Sequence, residues 1–366
     1  MPTESGIGFE ELKVRREKLR DVCREQRAGA FATLALPNVR YLSGFTGSNA
    51  ALLVTSDREI LFTDSRYRTQ AAEESDCDVH IAKGSLIDAL LQFARRLGVT
   101  RLGFERNRIS FDDHQRLAAG RGPIRLKGLS QTVERLRLVK SPAEIEAIRA
   151  AVNLNSAALE RALRRFKPGM TELDLAAEIE YSMKRLGSSG VAFETIVASG
   201  SRSALPHARP GANAIAPDHL LLIDMGALAA GYASDMTRTF AVGILKSSKA
   251  RRMYHAVWEA QLAALDAVKP GVQASAVDFA ARHVLRRNGF DKLFIHSTGH
   301  GLGLEIHEAP RLGRREAARL EAGMVVTIEP GVYAEGFGGV RIEDTVVVTP
   351  NGCEVLTPTT KELRSL

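Results

Sequence analysis

Four acids stand inside strand-like, otherwise apolar sequence, where a lone carboxylate has no ordinary structural use. Asp224 and Asp235 interrupt "LLLIDMGALAAGYASDMTRTFAV", and Glu329 and Glu343 interrupt "MVVTIEPGVYAEGFGGVRIEDTVVV". Folding the first stretch as a hairpin centred between Ala229 and Ala230 sets Asp224 opposite Asp235. Pairing the second about Gly336 sets Glu329 opposite Glu343. Like charges directly opposite on adjacent strands destabilise a sheet. Such pairs call for a cation between them, a protonated member, or a different register. Exposure in turns, or ion pairing with Arg238 and Arg341, would also account for some of them. If all four converge in a core, their combined charge is tolerable only when compensated, and two divalent cations would do so.

Imidazoles extend the same chemistry. The stretch "FIHSTGHGLGLEIHEAP" holds His296, His300 and His307 among glycines, and "SGSRSALPHARPGA" holds His207 between Pro206 and Pro210, just ahead of the Asp224 strand. "HEAPR" is not the HExxH of a helical zinc site, because Pro310 interrupts the helix that motif needs. "GHGLGL" lacks the third glycine of a dinucleotide-binding loop, so its glycines are expected to let backbone and side chains crowd a ligand. Four carboxylates and one imidazole make an oxygen-rich site suited to Mn²⁺, Fe²⁺, Co²⁺ or Zn²⁺ rather than a tetrahedral structural zinc site.

Positioning these groups requires a framework of helices and hairpins, and the rest of the sequence supplies one. The 366 residues suffice for two domains, with 45% hydrophobic and 6% aromatic residues in an ordinary globular balance. Apolar runs such as "AALLVTS", "EILFTD" and "RLGFE" alternate with helical patterns such as "SLIDALLQFARRLG", predicting a small α/β domain that ends near residue 130. "VKSPAEIEAIRAAV" then opens a second domain, with Ser141 as helix cap, Pro142 at the first helical position and Glu144 completing a capping box. Within that domain "KPGMTELDLAAEIEYSMKRLG" from Lys167 resembles "KPGVQASAVDFAARHVLRRNG" from Lys269. Two similar halves create an interface, where sites are commonly built.

Several function classes are excluded. The first residues carry no apolar core of an export signal and no run approaches the length of a membrane span, so a soluble cytoplasmic protein is expected. Cys23, Cys77 and Cys353 are odd in number and far apart, which argues against a disulfide framework. The net charge of +7 comes from scattered basic doublets rather than a basic tract, so no nucleic-acid partner is expected.

The ordered motifs "LLIDMGALAAGYASDMTRTF", "HSTGHGLGLEIHEAP", "TIEPGVY" and "GVRIEDTVVV" resemble those of the pita-bread metallopeptidases of family M24, which include methionine aminopeptidases, Xaa-Pro dipeptidases and Xaa-Pro aminopeptidases. "NVRYLSGFTGSNAALLV" and "LFTDSRYRTQA" resemble the creatinase-type N-terminal domain of the proline-specific branch. The resemblance implies an α+β protein: a creatinase-type α/β domain over residues 1–133 and a pita-bread catalytic domain with a pseudo-twofold repeat over 134–366. It implies five ligands, Asp224, Asp235, His300, Glu329 and Glu343, for two divalent ions, with Mn²⁺ expected and Co²⁺, Zn²⁺ or Fe²⁺ as alternatives. It further implies catalytic roles for His207, His307 and Glu329, a place for His296 in the pocket for proline, and for Arg341 a contact to substrate or to Glu343. The expected activity is Xaa-Pro aminopeptidase on proline-containing peptides, with Xaa-Pro dipeptidase as the alternative, a catalytically silent binding protein as a different class, and a homodimer as the assembly.

Overall fold

The structure, a computed structural model, describes residues 7–366, so the reading of Met1–Gly6 as free of an export signal lies outside the described residues. The chain divides into two compact units, the second running from Leu138 to Leu366. No helix of the described residues is long and apolar enough to cross a membrane.

The first unit is built on a mixed sheet ordered β4-β3-β2-β1-β5-β6, from β1 (Ala30–Thr33), β2 (Ala50–Thr55), β3 (Glu59–Thr63), β4 (Asp78–Ile81), β5 (Arg101–Glu105) and β6 (Arg125–Leu129). β2 is apolar along its length because it is buried along its length. Ile87, Leu90, Leu91 and Ala94 of the helix Leu86–Arg96 pack on this sheet through Leu53, Phe62 and Leu102. Ser85 starts that helix by accepting the Asp88 N–H.

The second unit carries the repeat into three dimensions. Its first half runs helix Pro142–Leu163, a Lys-Pro-Gly turn, helix Glu172–Arg185 and antiparallel strands; its second half runs helix Ser248–Ala267, a second such turn, helix Ala274–Arg287 and antiparallel strands. Gly169 and Gly271 end the two turns at φ 91° and 81°, in the left-handed region that only glycine enters without strain. The first helix is capped by Ser141 and Glu144 reciprocally, with Pro142 at its first turn. In the first half β7 (Gly190–Val191), β8 (Ile196–Ser199), β9 (His219–Met225), β10 (Ala227–Ala229), β11 (Tyr232–Ala233) and β12 (Met236–Val242) form the sheets β12-β9-β8 and β11-β10-β7. In the second, β13 (Gly299–Gly301), β14 (Glu308–Leu312), β15 (Val325–Ile328), β16 (Gly331–Ala334), β17 (Gly338–Arg341), β18 (Asp344–Thr349) and β19 (Gly352–Val355) form β14-β13-β15-β18-β19 and the hairpin β16-β17. This α+β arrangement matches the fold class expected from the motifs.

Register decides where the acids go. β15 pairs with β18 and β16 with β17 in one continuous register centred on Gly336, with Ile328 opposite Asp344 and Gly331 opposite Arg341. Glu329 and Glu343 fall in the gap between those ladders, facing each other as the sequence suggested. The first hairpin differs. Asp224 faces Thr237, not Asp235, and Leu228 faces Ala233, so the turn is centred between Ala230 and Gly231. Both turn residues have positive φ, 50° and 77°, the conformation that a tight two-residue hairpin requires. The shift of two residues preserves the face of each side chain and makes the two aspartates diagonal neighbours, relieving a direct clash of charge.

The glycines of "GHG" serve a different purpose from the one expected. A Cβ on Gly299 would stand 1.9 Å from the Thr327 carbonyl oxygen, and one on Gly301 2.2 Å from that of Ala309. They permit backbone to approach backbone where β13 lies between β14 and β15, instead of making room for a ligand. Gly299→Ala is therefore expected to lower stability by about 1–3 kcal/mol, read as a shift in the urea midpoint at unchanged slope.

Candidate metal centre

Asp224, Asp235, Glu329 and Glu343 meet where the two hairpins interrupt their ladders. Asp224 is near the end of β9, Asp235 immediately precedes β12, Glu329 follows β15, and Glu343 immediately precedes β18. The two halves thus contribute matched pairs. Backbone groups freed by the interruptions find partners across the unit: Glu343 N–H donates to the Thr237 carbonyl at 3.1 Å, and Glu329 N–H to that of Thr298 at 2.7 Å. The side chains line a cleft of about 680 Å³ together with His207, His296, His300, His307, Arg311 and Arg341. Every residue that sequence reasoning assigned to the site is therefore gathered in one cavity.

His300 identifies the chemistry of the cleft floor. Its Nδ1 lies 3.0 Å from the Gly301 carbonyl oxygen, which must accept, so Nδ1 carries the proton and Nε2 presents a lone pair. That Nε2 stands 3.4 Å from Glu329 Oε1 and 3.6 Å from Asp235 Oδ2. An acceptor aimed at acceptors is unfavourable unless a cation joins them. Burial lowers the His300 pKa to about 4, so its own proton does not supply that cation near neutrality. Ligand atoms of Asp235, His300 and Glu343 lie within 4.8 Å of one another. Asp224 Oδ1 is buried with no hydrogen-bond partner among the described residues. An orphaned carboxylate oxygen, a tautomer with Nε2 free, and an oxygen-rich donor set fit divalent ions of the kind the motif resemblance implies.

The carboxylates titrate accordingly. Burial, then Glu343 and Asp224, hold Asp235 well above the usual carboxylate range; burial, then Glu329 and Asp224, do the same to Glu343. Burial raises Glu329 to about 7, against the opposing pull of Arg341.

Arg341 organises the acids from behind. Its Nη2 donates to Asp224 Oδ2 at 2.6 Å, and its Nε to Thr237 Oγ1 at 2.9 Å. The Thr237 hydroxyl then donates to Glu343 Oε2 at 2.7 Å. Arg341 thus orients Glu343 through Thr237 and Asp224 directly. Its Nη1 donates to the Tyr333 hydroxyl at 2.7 Å, so Tyr333 must donate onward to His296 Nε2 at 2.8 Å. His296 Nδ1 in turn donates to the Ser297 carbonyl at 2.8 Å. With both nitrogens engaged and its pKa lowered to about 3 by burial and then Arg341, His296 offers the cleft a neutral ring rather than a proton.

His307 is exposed to the cleft, its ring centroid 4.4 Å from that of His300, and partial desolvation, then His207, lowers its pKa. Three participants escape sequence reasoning. Tyr333 lies in "EPGVY" opposite Gly339, and a large polar aromatic paired with glycine in a buried strand was the available signal. Thr237 is one residue from the Arg238 that drew attention. Arg311 ends "HEAPR" and is the cross-strand neighbour of His300, which only the β13–β14 register reveals.

Residues 146–350 match the Metallopeptidase family M24, and residues 15–139 match the Creatinase/Prolidase N-terminal domain. A Pyrococcus furiosus protein named Xaa-Pro dipeptidase is 37% identical over 353 residues, covering 96% of this chain and all of the relative. Among solved structures, the Xaa-Pro dipeptidase from Bacillus anthracis superposes with a TM-score of 0.93 at 37% identity, covering 97% of this chain and 100% of that one. The X-Pro aminopeptidase from Thermotoga maritima does so with a TM-score of 0.88 at 37% identity, covering 94% and 100%.

Raised carboxylate pKa values fix how metal and pH act on stability. A group whose pKa is higher in the folded state contributes stability that is whole below its unfolded value, about 4 for carboxylates, and is lost as pH rises through the folded value. The metal-free protein should therefore lose stability as pH rises through about 7, the value for Glu329. Bound cations cancel that loss, so the rise in Tm produced by Mn²⁺ is expected to grow between about pH 5 and about pH 8. Thermal unfolding with and without metal across that range measures it; a shift independent of pH would contradict the clustering.

Proposed function

The chain belongs to metallopeptidase family M24, and on that premise we propose that it is an Xaa-Pro dipeptidase, cleaving the bond ahead of proline in two-residue substrates. This reverses the order set by the motifs, which put Xaa-Pro aminopeptidase first. Relatives named dipeptidase match over nearly the whole chain. The observation that carries the reading is Arg311: its exposed guanidinium lines the cleft and forms no ion pair among the described residues. The nearby Arg209, by contrast, pairs with Glu194 at 3.3 Å. A dipeptide ends in a carboxylate one residue beyond the scissile bond, and a free guanidinium is its natural partner.

Asp224, Asp235, His300, Glu329 and Glu343 would hold two divalent ions, with Mn²⁺ proposed and Co²⁺, Zn²⁺ or Fe²⁺ compatible with the same donors. When bound, such ions supply Lewis acidity toward the scissile carbonyl and a water of lowered pKa. The chain's own residues do the rest. Glu329, which lines the cleft beside His300, is suited to take a proton from the attacking water and return it to the leaving nitrogen. That return is essential, since the imide nitrogen of an Xaa-Pro bond carries no hydrogen. His307, kept neutral by its lowered pKa, has a ring N–H available for the carbonyl oxygen as negative charge develops there, and His207 faces the same cleft. His296, its nitrogens engaged by Ser297 and Tyr333, presents its ring as a neutral surface for the proline ring.

Assays of Xaa-Pro, Xaa-Pro-Yaa and longer peptides under each metal test the substrate length directly. Dipeptides are expected to give the highest kcat/KM; preference for longer peptides restores the aminopeptidase reading. Arg311→Met should raise KM for Xaa-Pro about tenfold or more while metal content, measured by elemental analysis, stays unchanged. His307→Ala should lower kcat by about a hundredfold with both metals retained, whereas metal loss would make His307 a ligand in place of His300.

A further inference from the structure

The turn that carries His307 is closed by a buried ion pair for which the proposed chemistry has no use. Gly303 N–H donates to the Glu305 carbonyl at 3.0 Å, and Glu305 N–H donates to Glu308 Oε1 at 3.1 Å, so the backbone wraps around the Glu308 carboxylate. Gly303 makes this possible, because a Cβ there would stand 2.8 Å from Glu308 Oε1. The second carboxylate oxygen meets Lys140 Nζ at 3.2 Å, with the two side chains only 7% and 1% exposed. Lys140 is itself anchored by its backbone, its N–H donating to the Gly323 carbonyl at 2.9 Å beside the bridge between Val139 and Met324. The turn is also held at Gly303, whose carbonyl accepts the Ala233 N–H at 2.8 Å.

We propose that Lys140 and Glu308 are a positioning pair for His307: the anchored ammonium fixes the carboxylate around which the His307 turn is folded. Glu308 is the next residue after His307 and lines the same cleft. The segment before it, "HGLGLEI", is glycine-rich and has little rigidity of its own. Misplacing a group at a reacting carbonyl by about 1 Å can cost about a hundredfold in rate, so a fixed turn has a kinetic value that its stability does not report. A buried ion pair is a weak source of net stability, but here the Glu305 N–H and the Lys140 ammonium together constrain where the Glu308 carboxylate sits.

The kinetic part of this inference rests on the peptidase reading, while its structural part does not. Lys140→Met removes the ammonium and keeps most of the stem. The double variant Lys140→Met/Glu308→Gln removes both charges and leaves an amide oxygen for the Glu305 N–H, so it remains testable if the single variant fails to fold. For either variant, kcat on Xaa-Pro should fall about tenfold or more at unchanged metal content, with KM altered less than about twofold. In a His307→Ala background the same changes should alter kcat by less than about twofold, because their effect passes through His307. Amide exchange across residues 302–308 should quicken about tenfold while residues 324–345 stay protected. A full tenfold loss persisting without His307, loss of metal, or unchanged exchange across 302–308 would overturn the pairing. If the unaltered protein cleaves no Xaa-Pro peptide with any of the metals, the peptidase reading fails separately, and the exchange comparison still decides the positioning pair.

Discussion

Mutual repulsion among buried carboxylates is the constraint on which the second unit is organised. Asp224, Asp235 and Glu343 are each less than a tenth exposed, and Glu329 shares their cleft. Arg341 places a guanidinium among them and neutralises Asp224 directly, yet Asp235, Glu329 and Glu343 still have raised pKa values. The protein holds a cluster that is under-compensated by its own side chains. Such a cluster persists because the surrounding fold over-determines it, and cations of the right size would convert the repulsion into binding energy.

The over-determination comes from duplication. Each half of the unit packs two helices on antiparallel strands, and each interrupts its hairpin where an acid must point inward. An interrupted ladder would ordinarily leave backbone groups unpaired. Here the Glu343 N–H reaches the Thr237 carbonyl in the other half, so the gap in one hairpin is satisfied by the strand of its counterpart. Thr237 then couples the halves a second time through its hydroxyl, which accepts from Arg341 and donates to Glu343. The same line of hydrogen bonds continues through Tyr333 to His296, so the wall of the cleft and the carboxylate floor share one polar network. Every member has a defined donor or acceptor role, and that order fixes His296 as a neutral ring.

Parts of this were legible in the sequence for identifiable reasons. Glu329 and Glu343 could be paired because one register runs unbroken through two ladders about Gly336. Asp224 and Asp235 could be placed on one face but not opposite each other, since the tight turn at Ala230 and Gly231 depends on which residue accepts positive φ. The glycines around His300 looked like room for a ligand, whereas they allow backbone to approach backbone within the sheet. Sequence pattern cannot separate these uses of glycine, because both require the absence of a Cβ. Arg311, a cross-strand neighbour of His300, was hidden for a related reason: the bulge after His300 breaks the spacing that would have aligned them.

By itself the sequence determined the chemistry and the framework. Acids embedded in apolar strands imply a charge problem that ions can solve, and duplicated Lys-Pro-Gly helices imply two halves to solve it between. Those inferences were within reach of the sequence because hydrophobic periodicity and the high free energy of buried charge act locally and can be read from spacing. Tertiary structure decided which partner each polar group takes: Arg341 to Asp224, Thr237 to Glu343, Tyr333 to His296, Lys140 to Glu308. Hydrogen bonds and ion pairs depend on distances of a few tenths of an ångström between residues far apart in the chain, and only the folded backbone sets those distances.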